Sequence, residues 1–271
     1  MIKKSISVLG CGWLGLPLAI DFVSKGFRVK GSTTTKEKVM VLTEQNIQPY
    51  ILSLNEVDEN VYSHFILGSE IIIINIPPKR IPNIETIYLK QIERILPFIR
   101  DNQKVIFISS TSVYQNTNGE VIEDFKLFPE KASGEAILKV EQKLQETLKN
   151  RVTILRFSGL VGYDRQPGRF LANKRELKNA KALVNIIHRD DCIGLIQSIV
   201  EQSVWGEIIN GCADKHPTRK EYYTLAAKKL GLIPPEFIKE ETYNFKIVSN
   251  IKSKKLLNYS YQYPDPLALL I

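Results

Sequence analysis

The chain has 271 residues, 44% of them apolar, enough for the full core of one α/β unit with or without a small appended lobe, and too many for a disordered chain. Its three cysteines, Cys11, Cys192 and Cys212, never fall in a C-x-x-C spacing, which argues against a disulfide framework or a zinc site and fits a reducing, cytoplasmic setting. The net charge of +8 is spread along the chain and forms no basic run interleaved with aromatics, so neither nucleic acid nor a membrane surface is an expected partner.

In chain order, Met1-Ile2-Lys3-Lys4 and the apolar positions up to Ile20 look superficially like a secretion signal. Ser5 and Ser7 alternating with Ile6 and Val8, with glycines directly behind, read instead as a strand entering a turn. The pattern predicts strands over 5–9, 27–32, 50–54, 70–76, 104–109 and 152–157. Between and beyond them it predicts helices over 14–25, 36–45, 84–100, 134–149, 191–202 and 219–230. Gly26 and Gly231 stand where left-handed caps are wanted, and Pro17 lies among helix-start donors that have no intrahelical partner. Ile71-Ile72-Ile73-Ile74 and Val105-Ile106-Phe107-Ile108 are apolar on both faces, as central strands covered by helices must be. The alternation of strands and helices predicts a Rossmann-type, doubly wound α/β fold with a parallel sheet. Residues 1–158 are expected to form the dinucleotide-binding domain, and 159–271 a smaller substrate-side lobe partly interleaved with the sheet. No stretch approaches the roughly 18 apolar residues of a membrane span.

The first turn reads Gly10-Cys11-Gly12-Trp13-Leu14-Gly15 between a strand and an apolar helix, the context that gives G-x-G-x-x-G its meaning. Gly10 permits the tight turn, Gly12 lets backbone approach a pyrophosphate, and Gly15 lets helix and strand pack closely. An NAD-preferring fold places a carboxylate about 20 residues on, at the end of the second strand. Here Gly31-Ser32-Thr33-Thr34-Thr35-Lys36 offers hydroxyls and a cation, which suit the 2′-phosphate of NADP, with NAD as the alternative. A competing reading makes Thr34 and Glu37 a capping box for the next helix.

Ile108-Ser109-Ser110-Thr111-Ser112-Val113-Tyr114 resembles the Ser-Ser-x-x-Val-Tyr segment of the extended short-chain dehydrogenase/reductases, which include nucleotide-sugar epimerases and dehydratases. Leu155-Arg156-Phe157-Ser158-Gly159-Leu160-Val161-Gly162 is similar to their sixth-strand motif, Ile187-His188-Arg189-Asp190-Asp191 to their H-x-D-D segment, and Gly206-Glu207-Ile208-Ile209-Asn210 to their late strand. Val248-Ser249-Asn250-Ile251-Lys252 with Tyr263-Pro264-Asp265 is similar to the tail of an atypical subgroup of NAD(P)-dependent epimerases. With the turn, the resemblance implies cofactor contacts at Gly10, Gly12, Trp13, Leu14, Gly15, Ser32, Thr33, Thr34, Lys36, Leu54, Asn75, Ile76, Pro77, Ser109, Phe157 and Ser158. Thr111, Arg165 and Arg169 would border the substrate, the two arginines as anchors for a phosphate or carboxylate.

The departure lies in the acid–base pair. The family carries Tyr-x-x-x-Lys on the helix after the fifth strand, and the aligned residues here are Ser133 and Ile137. A serine hydroxyl without an activating partner is a poor substitute for a phenol next to a cation, and Ile137 continues an apolar stripe with Val140, Leu144 and Leu148. Ser110 aligns with the family's upstream Ser/Thr and could orient a carbonyl, or it could bond local backbone. Tyr88 on the fourth-strand helix is a candidate replacement phenol. Asp190 and Asp191 are expected to cap the following helix. His64, His188 and His216 have no metal-ligand spacing, so no metal is expected.

Three functions compete. The first is an NADP(H)-dependent oxidoreductase or epimerase acting on a small-molecule substrate, with a nucleotide sugar among the candidates and a homodimer as a possible assembly. The second is a catalytically inactive NADP(H) sensor. The third, a β-hydroxyacid dehydrogenase, fits the first turn but demands an all-helical second domain.

Overall fold

The computed structural model describes residues 4–56, 58–239 and 243–270; Met1-Ile2-Lys3 of the secretion-signal reading lie outside them. The strands are β1 (Ser5–Leu9), β2 (Arg28–Thr33), β3 (Gln48–Ile51), β4 (Ile71–Ile74), β5 (Lys104–Ser110), β6 (Glu120–Val121), β7 (Val152–Phe157), β8 (Gly159–Val161), β9 (Ile186–His188), β10 (Ile208–Gly211) and β11 (Ile247–Val248). The helices are α1 (Gly15–Ser24), α2 (Glu37–Glu44), α3 (Glu59–Ile66), α4 (Ile84–Glu93), α5 (Ala132–Leu148), α6 (Gly168–Leu171), α7 (Arg189–Gln202), α8 (Arg219–Lys229) and α9 (Ile251–Leu256). Seven strands make one sheet in the order β10-β7-β5-β4-β1-β2-β3, the Rossmann-type architecture.

The chain divides into two compact units. The first takes residues up to Val113, Pro129–Leu155 and Ser203–Ile208; the second takes Tyr114–Phe128, Arg156–Gln202 and the chain from Ile209 onward.

In the first unit β4 lies between β1 and β5, with Ile73 opposite Val8 on one side and Ile106 on the other, both pairings parallel. All four isoleucines of β4 are buried, as β-branched residues under helices on both faces should be. Ser5 and Ser7 are buried as well: Ser7 Oγ donates to the Phe65 carbonyl at 2.6 Å and lies 2.7 Å from Ser69 Oγ, so the alternation in β1 marks hydrogen-bonded sites and not a wet face. The helix expected over 84–100 stops at Glu93 and gives way to a 3-10 turn over Leu96–Phe98. Pro97 explains the break, since it lacks an N–H and disfavours helical backbone at Leu96. α3 was not expected; Asp58 caps it by accepting from Val61 N at 3.1 Å.

The second unit is not all helical. β8 pairs with β9 and β11 with β6, each in parallel, and β10 joins the main sheet. Its core gathers Val161, Ile186, Tyr222, Ala226 and Leu270. Among the described residues no helix is long and apolar enough to cross a membrane.

Candidate dinucleotide and substrate site

The Gly10–Gly15 turn is held from three sides within the first unit. Gly10 takes φ +100°, a conformation open to glycine, and its N–H donates to Ser32 Oγ at 2.8 Å. Cys11 N donates to the Ser32 carbonyl, and Asn75 Nδ2 donates to the Gly10 carbonyl at 3.0 Å. A Cβ at Gly15 would lie 2.1 Å from the Gly10 oxygen and 2.7 Å from Asn75 Nδ2, so the helix packs on the strand only because Gly15 has no side chain. Gly12 is the opposite case. It is exposed, and nothing stands within 4 Å of where its Cβ would be. That open face, ahead of the first helical bond from Leu16 N to the Gly12 carbonyl, leaves backbone approachable by a diphosphate at a helix N-terminus. The residues present therefore fit a dinucleotide. Cys11 points the other way: it is buried, packs at Gly31, and burial pushes its thiol up to about 12. Leu14 is buried and Trp13 half-buried at the start of α1.

Ser32, expected to meet the cofactor, is buried, and its Oγ accepts from Gly10 N, so it supports the turn. Thr33 accepts from Thr35 N at 3.2 Å. Thr34, Thr35 and Lys36 are exposed beyond β2. The capping-box reading is corrected: α2 starts at Glu37 and its cap, Lys36, is already helical with no side-chain cap bond. Leu54 is buried; Ile76 and Pro77 follow Asn75 on the loop after β4.

Tyr88 does not stand as a replacement phenol. It is fully buried, its hydroxyl donates to the Ile76 carbonyl, and burial drives its pKa up, so it braces the loop after β4 and has no means of exchanging protons with a substrate. Ser110 Oγ accepts from Ser112 N at 3.1 Å, the local bond considered from sequence, and keeps its own proton to donate. Thr111 is buried in the 3-10 turn that follows. Ser133 is half-buried in the first turn of α5, and Ile137 is core, 7% exposed, in line with Val140, Leu144 and Leu148. One turn beyond Ile137, Glu141 is 1% exposed and accepts from the Ser109 hydroxyl. The sequence reading missed Glu141; a carboxylate inside that apolar stripe was its signal.

In the second unit, Phe157 ends β7 and Ser158 follows it, both buried, and Ser158 N donates to the Gly211 carbonyl at 2.9 Å. Arg165 and Arg169 are exposed. Arg156, 2% exposed, donates to Tyr114 Oη at 2.8 Å and to the Glu123 carbonyl at 3.0 Å; Tyr114 Oη donates to Asn210 Oδ1 at 2.9 Å. Glu123 Oε1 accepts from Asn210 N at 2.8 Å. Asp191 does not cap α7. It is buried within the first turn and accepts from Tyr259 Oη and from the backbone N–H groups of Gln262 and Tyr263, which pins the C-terminal segment; burial raises its pKa.

These features define a Rossmann-type NAD-binding domain, and residues 5–126 match the family model for the NAD binding domain of 6-phosphogluconate dehydrogenase. Protein YeeZ of Escherichia coli K12 is 33% identical over 98% of both chains. UDP-glucuronic acid 4-epimerase from Bacillus cereus in complex with NAD superposes with TM-score 0.79 at 18% identity over 98% of this chain and 95% of that one. dTDP-glucose 4,6-dehydratase from Bacillus anthracis, also in complex with NAD, gives TM-score 0.81 at 14% identity over 99% and 95%. The chain belongs to the same family as YeeZ, and it shares the fold of the NAD-bound epimerase and dehydratase. The strands of the second unit go against the all-helical second domain that the β-hydroxyacid dehydrogenase reading demands.

Proposed function

We propose that this chain prefers NADP(H) to NAD(H) and works as an oxidoreductase or epimerase on a sugar-like or nucleotide-linked substrate. One observation carries the cofactor reading: Gly12 opens onto free space in a turn otherwise locked by Gly15, Ser32 and Asn75. The preference rests on the end of β2, where Thr34, Thr35 and Lys36 are exposed and no carboxylate occurs between Gly31 and Lys36.

Hydride chemistry is what a bound nicotinamide supplies. The chain's own task is to orient the partners and manage one proton. Ser110 suits that task in part: its oxygen is committed to Ser112 N, which leaves its O–H to donate to a substrate carbonyl. Ser133 and Ile137 provide neither a phenol nor a cation, so the remaining proton traffic falls to water or to the substrate. Arg165 and Arg169 supply exposed guanidiniums for a substrate phosphate or carboxylate.

The purified protein is expected to oxidise NADPH with some member of a panel of nucleotide sugars and ketones, and Ser110→Ala to slow that reaction by about tenfold or more. A second reading, an NADP(H) sensor without catalysis, is favoured by the buried Ile137 in the family's lysine position. Micromolar NADPH binding without turnover on the whole panel would select it, and an undiminished Ser110→Ala rate would remove that serine from the mechanism.

A further inference from the structure

Tyr222 and Ala226 turn one face of α8 into the core of the second unit, and Lys220, Glu221, Thr224, Leu225 and Lys228 follow one another as a stripe on the other face. That stripe lines an open pocket whose further walls include Lys181, Phe237, Ile238, Lys239 and Tyr243, all of the same unit.

Four lysines thus face a single carboxylate, that of Glu221. All four are exposed, and none of them forms an ion pair among the described residues. Lys181 Nζ lies over the Tyr243 ring, 5.6 Å from its centroid. Between the cations Leu225, Phe237 and Ile238 make an apolar floor, with Ile238 38% exposed. Arg219, at the start of α8, is committed elsewhere: its guanidinium donates to the Lys178 carbonyl and stands over Phe237. Like charges gathered around such a floor repel one another and draw anions to the surface.

The spread of the cations sets the class of anion. Lys220 and Lys228 are separated by about 12 Å of helix rise. An extended peptide of about four residues covers that length, whereas one phosphate cannot reach both. We infer that this pocket docks an acidic peptide segment of a partner protein, with carboxylates on the lysines and one apolar side chain on the floor between Leu225 and Ile238. The second unit builds this surface alone, so it stands or falls apart from the cofactor reading.

Fluorescein-labelled Glu-Glu-Leu-Phe-Glu-Glu and its counterpart Gln-Gln-Leu-Phe-Gln-Gln are matched probes for the full-length protein, read by fluorescence anisotropy. The acidic peptide should bind saturably and about tenfold more tightly than the neutral one. Lys220→Glu with Lys228→Glu should erase that difference and turn the preference toward Lys-Lys-Leu-Phe-Lys-Lys, with an unchanged melting temperature because both positions are exposed. Ile238→Ala should weaken all three peptides alike. Reversing Lys126 and Lys131, which are exposed and do not line the pocket, should change affinity by less than about twofold. An equal loss from that reversal would reduce the attraction to net charge and overturn the proposal. Equal binding of the acidic and glutamine peptides would overturn it as well. Displacement by UTP at lower concentration than by unlabelled acidic peptide would make a nucleotide the occupant, with the same result. Binding seen only after Glu240→Gln with Glu241→Gln would assign the lysines to the chain's own acids and equally defeat the inference.

Discussion

The Gly10–Gly15 turn and the inward face of α5 lie in one unit, yet they departed from the family pattern to very different extents. At the turn the requirements are met by backbone: a positive φ at Gly10, a contact at Gly15 that no side chain survives, and an open Gly12. On α5 the residues spaced by one turn are Ser133, Ile137 and Glu141, a hydroxyl, a core side chain and a carboxylate committed to Ser109. Holding a dinucleotide and moving a proton are thus separable. The first is written in backbone geometry that few substitutions respect, the second in side chains that can change while the fold persists.

Substitutions can break that comparison. Gly15→Ala should have the largest effect, about 3 kcal/mol of lost stability in urea melts, because its Cβ would press on the Gly10 carbonyl, a backbone atom with nowhere to go. Glu141→Ala on α5 should cost about 2 kcal/mol by stranding the buried Ser109 hydroxyl, with Glu141→Gln costing less. If Glu141→Ala proved neutral, the α5 face would have no more than a packing role. Gly12→Ala should leave the melt almost unchanged and weaken NADPH binding about tenfold, or 1.4 kcal/mol, by titration calorimetry. Equal losses of stability at Gly12 and Gly15 would erase the distinction drawn between them.

The smallest effect is pH-dependent. Burial holds Cys11 and Cys212 protonated up to about 12, whereas an unfolded thiol ionises near 9. The folded state keeps protons that the unfolded state releases, so this contribution is intact below pH 9 and declines as pH rises toward 12. By pH 10 each thiol should account for about 1 kcal/mol of lost stability. Replacing both cysteines by alanine should flatten that part of the profile in melts at pH 8 and pH 10.

Local features were legible wherever periodicity and turn chemistry coincided. β1 and β7 run as the sequence predicts, and the glycine turn joins β1 to α1. Some signals were present and misread. Ile84, Tyr88 and Ile92 form a buried stripe at helical spacing, which already marked Tyr88 as core, and Pro97 already marked the end of α4. Others have no local signature. Tyr114 and Glu123 share one segment but meet Arg156 and Asn210 from two distant ones, and Asp191 finds its partners about 70 residues further along the chain. Nothing around each residue announces such a network, because its energy comes from pairing buried polar groups that only the finished fold brings together.

The central claim is that backbone amides just behind Gly12, at the start of α1, hold the diphosphate of the cofactor, those of Gly10, Cys11 and Gly12 being bonded within the turn and to Ser32. Backbone ¹⁵N–¹H NMR of the labelled protein during an NADPH titration tests it most directly. The account predicts saturable shifts at Gly12, Trp13 and Leu14, with NADH producing the same shifts at higher concentration. Unmoved resonances at those three residues in millimolar NADPH and NADH would contradict it.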